Sequence, residues 1–239
     1  MNKFLHHHIE YKNFTIEHAV ALLFFTIVIY ALVVISKRYF TESQKRNTAI
    51  ILSFIPVAAM LFRMTIDYNL KGLNLSDDLP LHLCRILTIA APIIVLLNHE
   101  KSLKIFCYLV LAGVVNALIT ADIEYGFPYY GYFMYFLYHG FLVVLVFYEI
   151  LIRKIHLGIR DGLQSFLTIN VYFIILHLIN IVLDSNYMYT RAKPSVASIM
   201  DVLGAWPYYI LWIELIAFLL IFIIHLVFGK MLFPQKQGK

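Results

Sequence analysis

The sequence predicts an all-α, polytopic membrane protein, a seven-transmembrane-helix bundle formed by a single domain over residues 1–239. Two observations predict this class. Hydrophobic residues make up 62% of the chain and charged residues only 14%, whereas soluble domains carry about 25% charged residues. The apolar residues also fall into runs close to the ~20 residues that a helix needs to cross a ~30 Å hydrocarbon core.

Seven apolar runs follow one another, and no linker rich in Pro, Gly or Ser divides the chain. Each run is predicted to be a helix, because an open strand would leave backbone groups unpaired in lipid. The runs also lack the ten-residue alternation of a transmembrane barrel. The first run lacks a small-residue cleavage site and is expected to be a retained helix. The predicted spans lie at about 15–36, 47–66, 80–98, 102–120, 131–152, 162–183 and 205–228.

Polar connections separate these runs and carry the lysines and arginines unequally. Twelve of them fall in the connections 37–46, 99–104 and 153–161 and in the C-terminal tail, and five fall on the other side. Positive charge concentrates on cytoplasmic loops. The bias therefore predicts an N-terminus outside the cell membrane and a C-terminus in the cytoplasm. The net charge of +5 is explained by these connections, so no nucleic-acid partner is expected.

Polar side chains gather at the outer ends of the predicted helices. His82, Cys84 and Arg85 begin the third span, and His139 lies early in the fifth. Such groups are costly in hydrocarbon and mark function more often than packing. The other outer polar residues singled out are Asn116, Asp122, Tyr138, His177, Asn180, Tyr187, Arg191 and Lys193.

Helix geometry limits which of these residues work together. His82 and Cys84 are two positions apart, about 200° around a regular helix, so they are not expected to share a face. A base for Cys84 is therefore expected from another helix, with His139 first and His177 second. Pro80 is expected in the first turn of the third helix. The alternative for Cys84 is an inert small hydrophobe, which is the prediction for Cys107.

The sequence contains no soluble-enzyme motif for a metal or a cofactor, such as a phosphate-binding glycine loop or an H-E-x-x-H zinc helix, and none is expected. His6, His7 and His8 precede the first span and are interpreted as an interfacial segment. Nine aromatic residues stand in the fourteen positions 125–138. They fit either an interfacial belt or a lateral opening for an acyl chain.

Several ordered segments carry a resemblance to a known family. The chain resembles the YwaF-like integral membrane proteins of bacteria, which are related to the eukaryotic transmembrane protein 164. Ala121 departs from the proline expected there and affects a turn only. The matching segments are LPLHLC at 79–84, ALITAD at 117–122, YGFP at 125–128, HG at 139–140, NYMYTRAKP at 186–194 and LGAWPY at 203–208.

The resemblance implies chemistry on lipids. The eukaryotic relatives are associated with acyl transfer from a phospholipid to a lysophospholipid without acyl-CoA, through a cysteine and a histidine. These roles fall on Cys84 as nucleophile and His139 as general base, with Asp122 expected to orient His139. Arg85, Arg191 and Lys193 are expected to hold the substrate phosphate. The remaining outer polar residues are expected to contact substrate.

Other functions stay open at this point. More distant relatives hydrolyse lipid esters, so water is an alternative acyl acceptor at the same site. A small-molecule or lipid transporter would use similar midplane polar residues, with broken helices or an inverted repeat as its mark. A non-catalytic scaffold would tolerate the loss of Cys84. The sequence does not identify the acyl donor, the acceptor or the oligomeric state.

Overall fold

A computed structural model describes residues 4–5, 9–194 and 199–231. His6, His7 and His8 lie outside these residues, as do Lys236 and Lys239 of the tail lysines used in the charge count. In the described part of the chain the protein is helical and forms no strand. Seven long helices follow one another: α1 (Ile16–Tyr39), α2 (Glu42–Lys71), α3 (Leu83–Leu97), α4 (Glu100–Ile119), α5 (Tyr130–Leu151), α6 (Ile159–Val182) and α7 (Tyr208–Gly229).

Six of these helices, all except α3, are long and apolar enough to cross a membrane. The helix α3 is apolar but has only 15 residues. Helix ends differ from the predicted spans by a few residues, and α2 shows why. A capping box at Thr41 and Gln44 satisfies the first backbone donors and begins the helix before the apolar run.

The third helix begins at Leu83, and the prediction that Pro80 lies in its first turn is wrong. His82 has extended backbone angles (φ −66°, ψ 146°) and is the residue before the helix. Side chains satisfy the backbone of the segment before it. Leu79 N–H donates to Tyr187 Oη at 3.0 Å, and the Leu81 carbonyl accepts from Tyr172 Oη at 2.7 Å. Because these bonds replace helical ones, the segment stays outside the helix.

The centre of the bundle is α5, the most buried of the six helices that are long enough to cross a membrane. It packs against α2 and α1. At Gly140 the approach to α1 is so close that a Cβ atom would lie 2.3 Å from the Phe25 ring. Large apolar side chains of α1, α6 and α7 are exposed on the outside of the bundle. This arrangement suits a protein whose surroundings are hydrocarbon.

At the end of the bundle away from Cys84, side-chain hydrogen bonds connect the end of α3 to the end of α5. Arg153 Nη1 donates to both carboxylate oxygens of the buried Glu149, at 3.0 and 3.1 Å. Arg153 Nη2 also donates to Asn98 Oδ1, and Asn98 ends α3 with a left-handed backbone. The pair satisfies a carboxylate that would be costly to bury alone.

The fourth helix contains an irregular turn. Residues Val110–Val114 form a π-helical segment between two α-helical parts. Such bulges insert one residue into a helix and are frequent at functional sites. Leu83 packs on this segment, because its Cδ2 lies 2.8 Å from the position of a Cβ at Gly113. The π segment thus lies beside the start of α3.

The charge bias predicts which end of α2 faces the outside. Leu73 follows α2 and is 58% exposed, and Ser43 lies in the first turn of α2 and is exposed. In a Cys84→Ala background, a membrane-impermeant maleimide added to whole cells should label Leu73→Cys. Ser43→Cys should be labelled only after permeabilisation. The reverse pattern would overturn the predicted orientation.

Candidate functional site

The loop 183–194 and the beginnings of α3 and α7 lie at one end of the bundle, called the site end here. The loop is fixed by the buried side chain of Asn180 at the end of α6. Its Nδ2 donates to the Tyr187 carbonyl at 2.9 Å and to Thr190 Oγ1 at 2.8 Å. Its Oδ1 accepts from Tyr187 N–H and from Ser185 Oγ, at 2.9 and 2.8 Å. One amide therefore organises the whole turn.

Tyrosine hydroxyls connect the loop to its neighbours. Tyr189 Oη donates to Asp122 Oδ2 at 2.6 Å, and Tyr209 Oη of α7 donates to the Tyr189 carbonyl at 2.5 Å. Met188 and Tyr189 have φ values of 54° and 57°, which is strained backbone for residues with side chains. Burial, and then the hydrogen bond to Asp122, raise the pKa of Tyr189. Tyr189 is thus held as a neutral donor.

Below this loop lies an apolar cavity of about 310 Å³. Its volume falls within the range of ligand pockets, roughly 300–1,000 Å³. Met188, Tyr189 and Tyr209 form its roof, and Tyr108 with Ile221 lies at its far end. The walls come from the start of α3, the π segment of α4, α6 and α7. Lining side chains of α6 and α7 such as Phe173 and Ile210 are partly exposed, so the cavity reaches the side of the bundle.

Cys84 and His82 both line this cavity. The prediction that these two residues do not share a face is wrong, because it assumes a regular helix through both positions. His82 precedes the helix and has extended backbone angles, so the rotation of 100° per residue does not relate the two side chains. Cys84 is partly exposed, and both cysteines are free thiols.

On its other side, Cys84 lies near an aromatic cluster on α5. It is close enough to the hydroxyls of Tyr135 and Tyr138 to interact with both electrostatically. The buried His139 ring lies between these same two tyrosines, with ring centroids 4.0 Å and 4.1 Å away. The thiol therefore lines the cavity and lies near the two tyrosines whose rings flank His139.

Hydrogen bonds distinguish the two histidines. His139 Nδ1 lies 2.8 Å from the Tyr135 carbonyl oxygen. A carbonyl only accepts, so Nδ1 carries the proton and a neutral His139 has an unprotonated Nε2. His82 Nδ1 instead accepts from Met188 N–H at 3.4 Å, which leaves the proton of a neutral His82 on Nε2. His139 is thus prepared to accept a proton and His82 to donate one.

Arginines lie on the α2 side of this cluster. Arg63 and Arg85 both interact electrostatically with Tyr138 and His139. Arg63 Nε lies 3.4 Å from Asp67 Oδ2, and Asp67 Oδ1 accepts from Tyr130 Oη. Two positive charges therefore stand near the cysteine at the site end.

The structure gives several predicted site residues other partners. Asp122 accepts from Tyr189, and Tyr135 supplies the carbonyl for His139 Nδ1. Arg85 Nη1 donates to the carbonyls of Asp78 and Leu79, at 3.2 and 3.3 Å. Asn116 is exposed and donates to a carbonyl of its own helix. These contacts hold the site end together.

The predicted site residues on α6 and in the loop 183–194 form hydrogen bonds in or next to that loop. His177 Nδ1 lies 3.1 Å from Thr190 Oγ1, and Lys193 Nζ donates to the Asp201 carbonyl at 3.3 Å. Arg191 Nη1 donates to Asp184 Oδ1 at 2.8 Å and to the carbonyls of Asn180 and Ser185. Of the predicted site residues, His82 and Cys84 line the cavity.

Sequence reasoning left three residues of this region out of the site. Arg63 and Glu214 are charged residues inside predicted spans, which was the available signal. Tyr189 lies in the matching segment 186–194, but its hydrogen bond to Asp122 depends on how the loop folds. The aromatic segment is largely internal, because Tyr130, Tyr132 and other members are buried. An interfacial belt does not describe those buried members.

Comparison with known proteins gives one family. The model of the TMEM164 family matches residues 13–225 of the chain. No curated protein matches significantly. No solved structure does so either. The matched range includes all the site residues described above.

Removing the Asn180 amide should destabilise the protein. Asn180→Ala leaves four hydrogen-bonding groups of the loop without their partner, and each unsatisfied buried group costs about 1–3 kcal/mol. The Tm of the purified protein should fall by about 10 °C or more. Asn69→Ala is the matched control, because Asn69 is exposed and bonds its own helix. Equal Tm values for the two variants would contradict this role of Asn180.

Proposed function

The chain belongs to the TMEM164 family, and from this premise we propose that it is a membrane-embedded phospholipid acyltransferase. The enzyme moves an acyl chain from a phospholipid to a lysophospholipid without acyl-CoA, through Cys84 and His139. The observation that carries the proposal is the position of the Cys84 thiol. It lines an apolar cavity and borders the aromatic cluster of His139.

The proposal includes a topology. Six helices of sufficient length together with α3 would make seven crossings of the cell membrane, with the N-terminus outside. A short helix crosses a bilayer where the non-helical segment before it, here 79–82, is covered by protein. The site end would then face the outer leaflet. Donor and acceptor lipids would enter the cavity from that leaflet, between α6 and α7.

The first half-reaction transfers the acyl chain to the cysteine. His139 Nε2 takes the proton of the Cys84 thiol, and the sulfur attacks the ester carbonyl of the donor phospholipid. His82, which carries its proton on Nε2, donates to the carbonyl oxygen as negative charge develops there. The ester C–O bond then breaks, and the leaving glycerol oxygen takes the proton from His139. A lysophospholipid leaves, and an acyl thioester remains on Cys84.

The second half-reaction uses a hydroxyl as the acceptor. The free hydroxyl of a lysophospholipid attacks the thioester carbon and gives its proton to His139. The C–S bond breaks, and the Cys84 thiolate recovers the proton from His139. Water performing the same step would release a fatty acid. The apolar lining and the buried loop above the cavity favour the lipid acceptor, because they keep water from the thioester.

Positive charge near the site suits a phospholipid. Arg85 is expected to interact with the phosphate, together with Arg191 and Lys193 of the loop. Arg63 adds a second arginine near the cysteine. In the substrate-free protein Arg85 and Arg191 donate to backbone carbonyls. A phosphate oxygen is a stronger acceptor than a carbonyl, so these donors are available for exchange.

Loss of the thiol should abolish transfer. Cys84→Ala should be inactive, and Cys84→Ser nearly so, because a serine hydroxyl is much harder to deprotonate than a thiol. His139→Ala should lower kcat by ~10²–10⁴-fold, the usual contribution of a positioned acid–base group. The assay is mass spectrometry of an isotopically labelled lysophospholipid incubated with purified protein and a donor phospholipid.

Cys107→Ala is the internal control and should keep full activity, because Cys107 is buried in α4 and does not line the cavity. Labelled phospholipid is the expected product. Release of free fatty acid alone would change the assignment to a lipid-ester hydrolase. Full transfer by Cys84→Ala would exclude the cysteine mechanism.

A further inference from the structure

A carboxylate lines the same cavity as the proposed nucleophile. Glu214 lies near the middle of α7, a helix that is otherwise almost entirely apolar. Its Oε2 accepts a hydrogen bond from Asn170 Nδ2 at 3.0 Å. Ionisable side chains inside membrane helices are costly and usually functional. The mechanism above uses no group on α7, so the purpose of this carboxylate is unassigned.

The residues that line the cavity offer the Glu214 carboxylate few hydrogen-bond donors. No lysine or arginine is among the described residues that line it. The hydroxyls of Tyr189, Tyr209 and Tyr108 are already donated to other acceptors. A carboxylate has room for about four hydrogen bonds, and Asn170 supplies one. A ligand that carries a hydrogen-bond donor would complete the set.

The depth of Glu214 matches that of Cys84. Tyr108 and Ile221 lie level, because both contact the position of a Cβ at Gly162, at 3.0 and 2.7 Å. At a helical rise of 1.5 Å per residue, Gly113 lies roughly 8 Å closer to the site end than Tyr108 does on α4. Glu214 lies roughly 10 Å closer to the site end than Ile221 does on α7. Leu83, the neighbour of Cys84, contacts Gly113. The carboxylate therefore faces the cavity within a few ångströms of the depth of the thiol.

We propose that Glu214 binds the free hydroxyl of the acyl acceptor and holds it beside the Cys84 thioester. The proposal rests on the proposed function and adds a binding subsite to it. The hydroxyl donates to the carboxylate, and Asn170 fixes the carboxylate's orientation. The acceptor's proton still goes to His139 in the transfer step, so Glu214 is a positioning residue that makes no covalent bond.

The chemistry recognised is a hydroxyl and not an ammonium group. A glycerol hydroxyl lies close to the depth of the ester carbonyl that Cys84 attacks, because the acyl chains are esterified directly to the glycerol backbone. The ammonium of a choline or ethanolamine headgroup lies farther out, beyond the phosphate. Glu214 matches the depth of the thiol, so the glycerol hydroxyl is within its reach and the headgroup is not.

Three lipid probes separate these chemistries in a protein that does not react. In a Cys84→Ala background, native mass spectrometry measures binding of three ligands with matched chains. Palmitoyl-lysophosphatidylcholine has both the hydroxyl and the ammonium, hexadecylphosphocholine has only the ammonium, and palmitoyl-lysophosphatidic acid has only the hydroxyl. Glu214→Leu should weaken binding of the two hydroxyl-bearing lipids about tenfold or more. It should leave hexadecylphosphocholine unchanged.

Glu214→Gln should keep most of the affinity, because its amide oxygen still accepts from a hydroxyl. Leu215→Ala is the control on the same helix and should change nothing, since Leu215 is 46% exposed. Equal weakening of all three probes by Glu214→Leu would show a structural role and overturn the proposal. Loss of both ammonium-bearing probes with lysophosphatidic acid retained would assign Glu214 to the headgroup and overturn it as well.

Two features keep the test decisive. If Glu214→Leu does not fold, the parent protein itself must bind lysophosphatidylcholine more tightly than hexadecylphosphocholine, and equal affinities refute the subsite. Binding is measured without turnover, so a protein that transfers no acyl chain still reports on Glu214. Failure of the acyltransferase proposal and failure of this subsite are therefore distinguishable.

Discussion

Hydrocarbon offers no hydrogen-bond partners, and this constraint explains the arrangement of the site end. Polar groups placed there therefore depend on partners within the protein. Asn180 supplies four of these bonds to the loop 183–194, and Arg85 donates to two carbonyls in the non-helical segment before α3. The non-helical segment in turn lets His82 and Cys84 line one cavity. The proposed chemistry thus depends on irregular backbone whose hydrogen-bonding groups are satisfied by side chains.

The sequence was sufficient for the helical class and for the positions of most helices, because apolar runs of fixed length carry that information. It also indicated that the polar residues gather at one end of the bundle, since intramembrane polar residues are conspicuous. The local details were not predictable. The start of α3 depends on Tyr172 and Tyr187, which are distant in the chain. No proline marks the π segment in the sequence. The partners of Asp122 and Arg191 depend on how the loop folds.

The two histidines illustrate how backbone contacts assign chemical roles. Both are near Cys84 in sequence or in space, and composition alone treats them alike. A carbonyl beside His139 Nδ1 and an N–H beside His82 Nδ1 give them opposite tautomers. The proposed reaction can therefore draw on one histidine as a proton acceptor and on the other as a hydrogen-bond donor. In that proposal both half-reactions need the same two functions, so the pair would serve both unchanged.

The loop above the cavity has a kinetic consequence for the proposed reaction. The buried residues Tyr187 and Thr190 anchor this loop, and the walls formed by α6 and α7 are partly exposed at the side of the bundle. A lipid arriving by this lateral route diffuses in two dimensions. The quantity that sets the occupancy of the cavity is then the mole fraction of that lipid in the leaflet and not its concentration in bulk solution. Local membrane composition, including transient enrichment of lysolipid, would govern turnover directly.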